Sequence, residues 1–381
     1  YDVLNTAEAR VRADGRPNSF LHISKPEIDL PEGTDPYDPA VYSKGAENLQ
    51  RLIEDGVLMR EEKPCYYIYR LRWEEHVQTG LVFGSSVAAY DINRVRKHEF
   101  TRPVKEDDRV RQITALNAQT GPVLLTYRAD DAVKAIIDEA AAGAPAYDLT
   151  ADDGIGHTLW VLDDDAKIEQ LNQIFDATDA LYIADGHHRS ASASRVAKEN
   201  SNESAQYFLS VAFAHDEMKI LDYNRVVRDL NGLSADELLA NTAAAFDLEM
   251  SAEAVRPAKP TQFGMYVNGQ WYRLDVHSER VPADDPVASL DVSLLHSNLI
   301  EPLLGISDPR RDDRIDFVGG MRGLGELEKR VDSGEMEVAF SLYPTTMEAL
   351  MDVADANEVM PPKSTWFEPK LADGLVSHVL D

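Results

Sequence analysis

Three features of the chain predict a mixed α/β (α+β) fold. The apolar run Leu181-Tyr182-Ile183-Ala184 ends in Asp185-Gly186, and Ala191, Ala193, Val196 and Ala197 follow as helix formers, so a strand passes through a tight turn into a helix. Phe263–Val267 and Trp271–Val276 flank Asn268-Gly269, the preferred two-residue hairpin turn. Near the C-terminus, a helix at Leu324–Val331, a strand at Glu337–Leu342, a helix at Thr346–Ala356 and a strand at Leu375–Leu380 alternate.

The remaining elements follow in order. Turn clusters at Asp14–Asn18 and Pro31–Pro39 make the first stretch loop-rich. Ala46, Leu49, Leu52, Ile53 and Val57 recur at helical spacing and stop near Asp55-Gly56. Tyr66–Trp73 and Gln78–Phe83 alternate as a strand pair joined through Glu74–His76. A helix carries Lys105, Asp108, Arg109 and Ile113, and Gly121–Tyr127 reads as a strand after it. Ser234 with Glu237 forms a capping box that opens a helix through Ala245. The expected organisation is an N-terminal α/β segment at 1–84, a chemistry-bearing core at 85–220 with an insertion at 128–178, and a C-terminal α/β domain at 221–381.

Composition narrows the function classes. The 381 residues, 44% of them apolar, can form two or three cores. No apolar run reaches the length of about 18 residues that a membrane helix needs, so no membrane partner is expected. One cysteine, Cys65, excludes an internal disulfide and a multi-cysteine zinc cluster, which makes the cytoplasm the expected location. The chain starts at Tyr1 without an initiator Met or a signal-peptide pattern, so the natural chain is expected to begin earlier. Asp and Glu number 67 against 38 Lys and Arg, a formal net charge of −29. Such a field repels a phosphate backbone, and no nucleic-acid partner is expected.

The chemistry concentrates at Leu181–Arg195. Behind one strand lie a carboxylate (Asp185), two imidazoles (His187, His188) and a guanidinium (Arg189), at a helix start whose N–H groups suit an anion. A polar turn that merely caps the helix is the plainer reading of most Asp-Gly turns. A second polar knot runs through Lys97, His98, Glu99 and Arg102; on the residues alone Glu99 is equally a surface carboxylate paired to Lys97 or Arg102. Met360–Lys370 is a third, with Lys363, Ser364, Thr365 and Lys370 in a proline-pinned loop and Trp366 beside them. There the alternative is a loop whose aromatics cover the core. His157 lies near Trp160 in the insertion, where a buried structural histidine is the plainer reading, and Arg225 sits at an expected strand end.

The order strand, Glu-bearing turn, helix, strand, insertion, strand, Asp-Gly-His-His-Arg, helix resembles the ParB/sulfiredoxin-like fold. Within that fold the Asp-Gly-His-His-Arg form is similar to that of the free L-serine kinases. The whole chain resembles a bacterial and archaeal family of unknown-function domains that includes them, through Tyr1-Asp2-Val3, Lys97-His98-Glu99, Tyr182–Arg189, and Met360–Lys370 before Gly374-Leu375. The segment at 128–178 is longer than a compact ParB-type domain needs, and Ser-Ala-Ser-Ala follows Arg189 where relatives often carry an aromatic. The resemblance implies an enzyme of amino-acid metabolism that moves a phosphoryl group from ATP or ADP to the hydroxyl of free L-serine, with Mg²⁺. It implies Glu99 as proton acceptor, Asp185 as Mg²⁺ ligand, and His187 and His188 as catalytic groups. Gly186, Arg189, Ser190, Lys363, Ser364, Thr365 and Lys370 would hold nucleotide phosphates, and His98, Arg102, His157 and Trp366 the acceptor. The rival readings are a ParB-like nucleotide switch or nuclease and a non-catalytic nucleotide or ligand sensor.

Overall fold

A computed structural model of the chain describes residues 4–381. Tyr1-Asp2-Val3, one piece of the resemblance, lies outside the described residues. The chain divides into two compact units, Tyr1–Glu217 with Pro369–Asp381, and Met218–Glu368.

The first unit opens with helices α1 (Thr6–Ala13), α2 (Leu21–Ser24) and α3 (Pro39–Glu54). Asp38 caps α3 through its side chain and Pro39 stands in the first turn, where a missing N–H costs nothing. Leu49 and Leu52 of α3 pack with Ile23 and Leu116. Strands β1 (Tyr66–Trp73) and β2 (His76–Ser86) then form a hairpin closed at Trp73 and His76. α4 (Val87–Asp91), β3 (Val95–Arg96), α5 (Pro103–Leu116), β4 (Ala118–Gln119) and β5 (Val123–Tyr127) follow. The segment expected as an insertion forms α6 (Asp131–Ala141), β6 (Tyr147–Thr150), β7 (Gly156–Leu162) and α7 (Asp165–Ala177). β8 (Leu181–Asp185), α8 (His187–Glu199) and β9 (Tyr207–Ala214) complete the run.

Among the described residues, eight of these strands form one sheet in the order β3-β8-β5-β9-β2-β1-β7-β6. It therefore draws on the segments expected at 1–84 and at 85–220 alike. β8 lies between β3, parallel to it, and β5, antiparallel to it. All five residues of β5 are buried, which is why that strand reads as a continuous apolar run and not as an alternation. Ile68, Leu125, Ile183 and Phe208 are central to the core, each at most 1% exposed.

The second unit contains β10 (Lys219–Leu221), β11 (Tyr223–Val227), α9 (Ala235–Thr242), β12 (Phe246–Ser251), β13 (Gln262–Val267) and β14 (Gln270–Val276). After them come α10 (Asp291–Leu295), α11 (Glu301–Leu304), β15 (Ile315–Gly319), α12 (Leu324–Asp332), β16 (Val338–Leu342), α13 (Met347–Asp355) and β17 (Trp366–Glu368). Its main sheet runs β12-β14-β13-β16-β11-β15. The Asn268-Gly269 turn joins β13 to β14, and both capping-box bonds between Ser234 and Glu237 form.

Two elements differ from the sequence reading. The last strand, expected over 375–380, is β18 (His378–Val379), back in the first unit. It pairs only with the two residues of β4, and two residues are all that short partner can satisfy. Arg225, expected at a strand end, lies in the middle of β11 and is 4% exposed. Among the described residues no helix is long and apolar enough to cross a membrane.

Candidate active site

β8 stops at Asp185 because Gly186 turns the chain. Gly186 has φ +101°, and a Cβ there would lie 3.3 Å from the Val123 Cα, so both angle and approach call for glycine. α8 begins at once, with no side chain capping it. Its first N–H groups and the positive end of its dipole therefore lie at the end of β8.

Asp185 is half-buried there, with Lys370 Nζ 3.3 Å and Arg189 Nη2 3.9 Å from its oxygens. Burial alone would raise its pKa, but Lys370 and then Arg189 overcome this and hold the carboxyl at about 2. Arg189 is itself fixed by donating to the carbonyl of Pro122.

Two buried imidazoles stand beside this pair. The His98 and His187 rings meet edge to face, centroids 4.6 Å apart, and the His98 N–H points to His187 Nε2 at 3.4 Å. Burial pushes His98 down to about 4, although Asp185 favours its cation. Burial, then His98, depresses His187 well below its ordinary value. Both are neutral at pH 7. Glu99 is exposed, with an oxygen 3.8 Å from His187 Nδ1. His188 Nε2 accepts the Arg102 N–H at 3.0 Å, which ties the turn carrying Glu99 to α8.

Apart from Lys370 and the buried His98, which are not in its lining, these groups face a cleft of about 520 Å³ wholly within the first unit. Glu99, Arg102, Asp185, Gly186, His187, His188 and Arg189 line one side. The other side comes from α5, with Lys105, Asp108, Arg109 and Gln112, and from Lys25, Glu27, Tyr37 and Tyr42 of the N-terminal segment. Asp108 accepts from Tyr42 Oη at 3.0 Å and from Arg109 Nε at 3.0 Å. Sequence reasoning placed Lys105, Asp108 and Arg109 on a helix without a role. The contributors from 25–42 carry no motif and become visible only when that loop-rich stretch folds against α5.

Other expected site residues are not in the lining of this cleft. Ser190 is fully buried and its hydroxyl donates to the His187 carbonyl at 3.1 Å, so it does not line the cleft. His157 is 5% exposed, with Nδ1 2.7 Å from Tyr69 Oη, and is also absent from the lining. Lys363, Ser364, Thr365 and Trp366 belong to the second unit. There Lys363 lies over the Tyr223 ring, its carbonyl accepts from Arg225, Ser364 donates to the Pro361 carbonyl, and Trp366 donates to Glu368. Only Lys370 of that loop joins Asp185.

The donor set at Asp185 suits Mg²⁺ in one way. Mg²⁺ prefers oxygen ligands and is commonly held by one or two carboxylates together with substrate phosphates. Asp185 supplies one carboxylate, and among the described residues no group of three or more His, Cys, Asp or Glu gathers around a metal position. An ion carried by a nucleotide fits this set; a protein-built cage does not.

The family described as "Protein of unknown function (DUF1015)" matches residues 1–293. The chain belongs to this family. No curated protein matches it in sequence. Among solved structures, the chain is similar to a free serine kinase variant in complex with AMP, at 13% identity and a TM-score of 0.38, over 77% of this chain and 88% of that one. It is also similar to a conserved hypothetical protein from Pyrococcus furiosus, at 14% identity and a TM-score of 0.36, covering 79% of this chain and 96% of that one. A third is SbnI with a C-terminal truncation from Staphylococcus aureus, at 12% identity and a TM-score of 0.40, covering 75% and 82%.

Proposed function

We propose that this member of the family is a phosphotransferase with a ParB/sulfiredoxin-like core that moves a phosphoryl group from ATP or ADP to the hydroxyl of free L-serine, giving O-phospho-L-serine. One juxtaposition carries the reading. An exposed carboxylate (Glu99), a buried neutral imidazole (His187), Asp185 and Arg189 line the same cleft at an uncapped helix start, and Lys370 pairs with Asp185. The Asp-Gly-His-His-Arg resemblance names the reaction that such a set would perform.

The nucleotide's terminal phosphate would lie against the first N–H groups of α8, with Arg189 and Lys370 balancing its charge. Mg²⁺ arriving with the nucleotide would be held by Asp185 and would lower the charge on the phosphate oxygens. The serine Oγ forms a bond to the terminal phosphorus while Glu99 accepts the hydroxyl proton. The bond from that phosphorus to the bridging oxygen breaks, and the shortened nucleotide leaves with its electron pair. His187 positions Glu99, and His188 holds the Glu99 turn through Arg102.

The test is incubation of the purified protein with ATP or ADP, Mg²⁺ and a panel of amino acids, read by mass spectrometry. O-phosphoserine is expected. Nucleotide binding without transfer to any amino acid would overturn the reading in favour of a ligand sensor. Retention on heparin at moderate salt would favour the nucleic-acid alternative.

A further inference from the structure

Residues 369–377 form neither helix nor strand, yet none of them is exposed. This strap carries Lys370, and its bonds run to several elements of the first unit. Lys370 Nζ meets Asp185 at 3.3 Å. Ser24 of α2 donates its hydroxyl to Asp373 at 2.7 Å. Gly374 has φ +88°, and a Cβ there would lie 2.7 Å from the Phe20 ring, so the strap lies directly on the N-terminal segment. Between these ties the Ala372 N–H donates to Tyr69 Oη at 3.4 Å.

The Tyr69 hydroxyl is set from its other side. Tyr69 of β1 is 2% exposed, and its ring stacks on that of His157, with centroids 6.0 Å apart and 15° between planes. β1 and β7 are neighbours in the sheet, with Tyr69 opposite Leu159 and Leu71 opposite His157, so the two rings project from one face. Tyr69 Oη lies 2.7 Å from His157 Nδ1. An N–H can only donate, so Oη accepts from Ala372 and its own proton turns to Nδ1. Burial keeps both groups neutral, since it pushes the Tyr69 pKa up and the His157 pKa down. A buried hydroxyl whose proton is held by one partner presents its lone pairs to the other in a fixed direction.

We propose that Tyr69, oriented by His157, is a positioning residue that fixes Ala372 and thereby holds Lys370, two residues away, against Asp185. A lysine ammonium on a flexible four-carbon stem stays on one carboxylate when its backbone is held, and this strap has no helix or strand to hold it. His157 then serves the site through two bonds without lining the cleft. The anchoring of Lys370 stands on these contacts alone. Its consequence for nucleotide binding rests on the phosphotransferase reading proposed above.

Two measurements on the full chain test the inference. The first, hydrogen–deuterium exchange of residues 369–377 read by mass spectrometry, needs no activity. The wild-type strap should exchange slowly, and Tyr69→Phe and His157→Leu should each speed it. His157→Asn, whose side-chain oxygen can replace Nδ1 as acceptor, should keep it slow. A wild-type strap that exchanges like free chain would overturn the inference without any variant having to fold, and so would unchanged exchange in Tyr69→Phe. The second is calorimetric binding of ADP with Mg²⁺ to the wild type, Tyr69→Phe, Lys370→Met and the double variant. Tyr69→Phe should weaken binding roughly 3–10-fold, the worth of one net hydrogen bond. In the Lys370→Met background it should add no further loss, because Tyr69 acts through Lys370. Equal losses in both backgrounds would make Tyr69 merely structural and overturn the proposal. A wild type that binds no ADP would instead sink the phosphotransferase reading, and the exchange measurement then decides the strap by itself.

Discussion

Replacing Lys370 with Met removes the cation closest to Asp185 and keeps most of the side-chain volume. At 3.3 Å, two unit charges interact by about 1 kcal/mol in water and about 5 kcal/mol at an intermediate dielectric. The Lys370 and Asp185 side chains are 34% and 40% exposed, so solvent screens the pair and the lower figure applies. About 1 kcal/mol corresponds to somewhat less than one pKa unit. Lys370→Met should therefore move the Asp185 titration from about 2 up by roughly one unit, toward the ordinary carboxylate value of 3.8. Carboxylate ¹³C NMR against pH reads the midpoint directly. Because the folded pKa is depressed, the pair stabilises the fold above the unfolded value and loses that contribution as pH falls from about 4 to about 2. The variant should show a smaller loss across that window, with no change in sign. An Asp185 midpoint that stays at its wild-type value would refute the pairing and leave the depressed pKa to Arg189 and His187.

Further outcomes follow from the same geometry. Glu99→Gln should lower kcat by roughly 10²–10⁴-fold with little change in nucleotide affinity, and a variant that mainly weakens nucleotide binding would move Glu99 out of the proton-acceptor role. Asp185→Asn should abolish most turnover in a protein that still unfolds cooperatively, with partial rescue by Mn²⁺. Gly186→Ala should cost about 1 kcal/mol or more in chemical denaturation, since it forces a side chain onto φ +101° and against Val123. His98 stays neutral in the fold down to about pH 4 but charges near 6.5 when unfolded, so stability should fall as pH drops from 6.5 to 4, by up to about 3 kcal/mol from this group. Urea titrations at pH 7 and 4.5 should show that slope flattened in His98→Gln.

The sequence alone determined what depends on neighbours along the chain. The passage from Leu181–Ala184 through Asp185-Gly186 into α8 was legible because glycine is needed where the backbone takes φ +101°. The Asn268-Gly269 hairpin and the Ser234–Glu237 cap were legible for the same reason: each is closed by atoms within a few residues. Glu99, Arg102 and Asp185–Arg189, singled out as candidates, do face one cleft. What only the tertiary structure decided are contacts between segments whose separation no local pattern encodes. Lys370 reaches Asp185 across 185 positions. The loop at 25–42 supplies the far wall of the cleft although turn residues dominate it. Lys363 and Lys370 read as one basic cluster, yet the chain passes from one compact unit to the other between them. The length of β18 was set by β4, a partner with only two residues to offer. A strand, an ion pair or a cleft wall that needs a distant partner is a property of packing, because its hydrogen bonds and charges are satisfied only when that partner arrives.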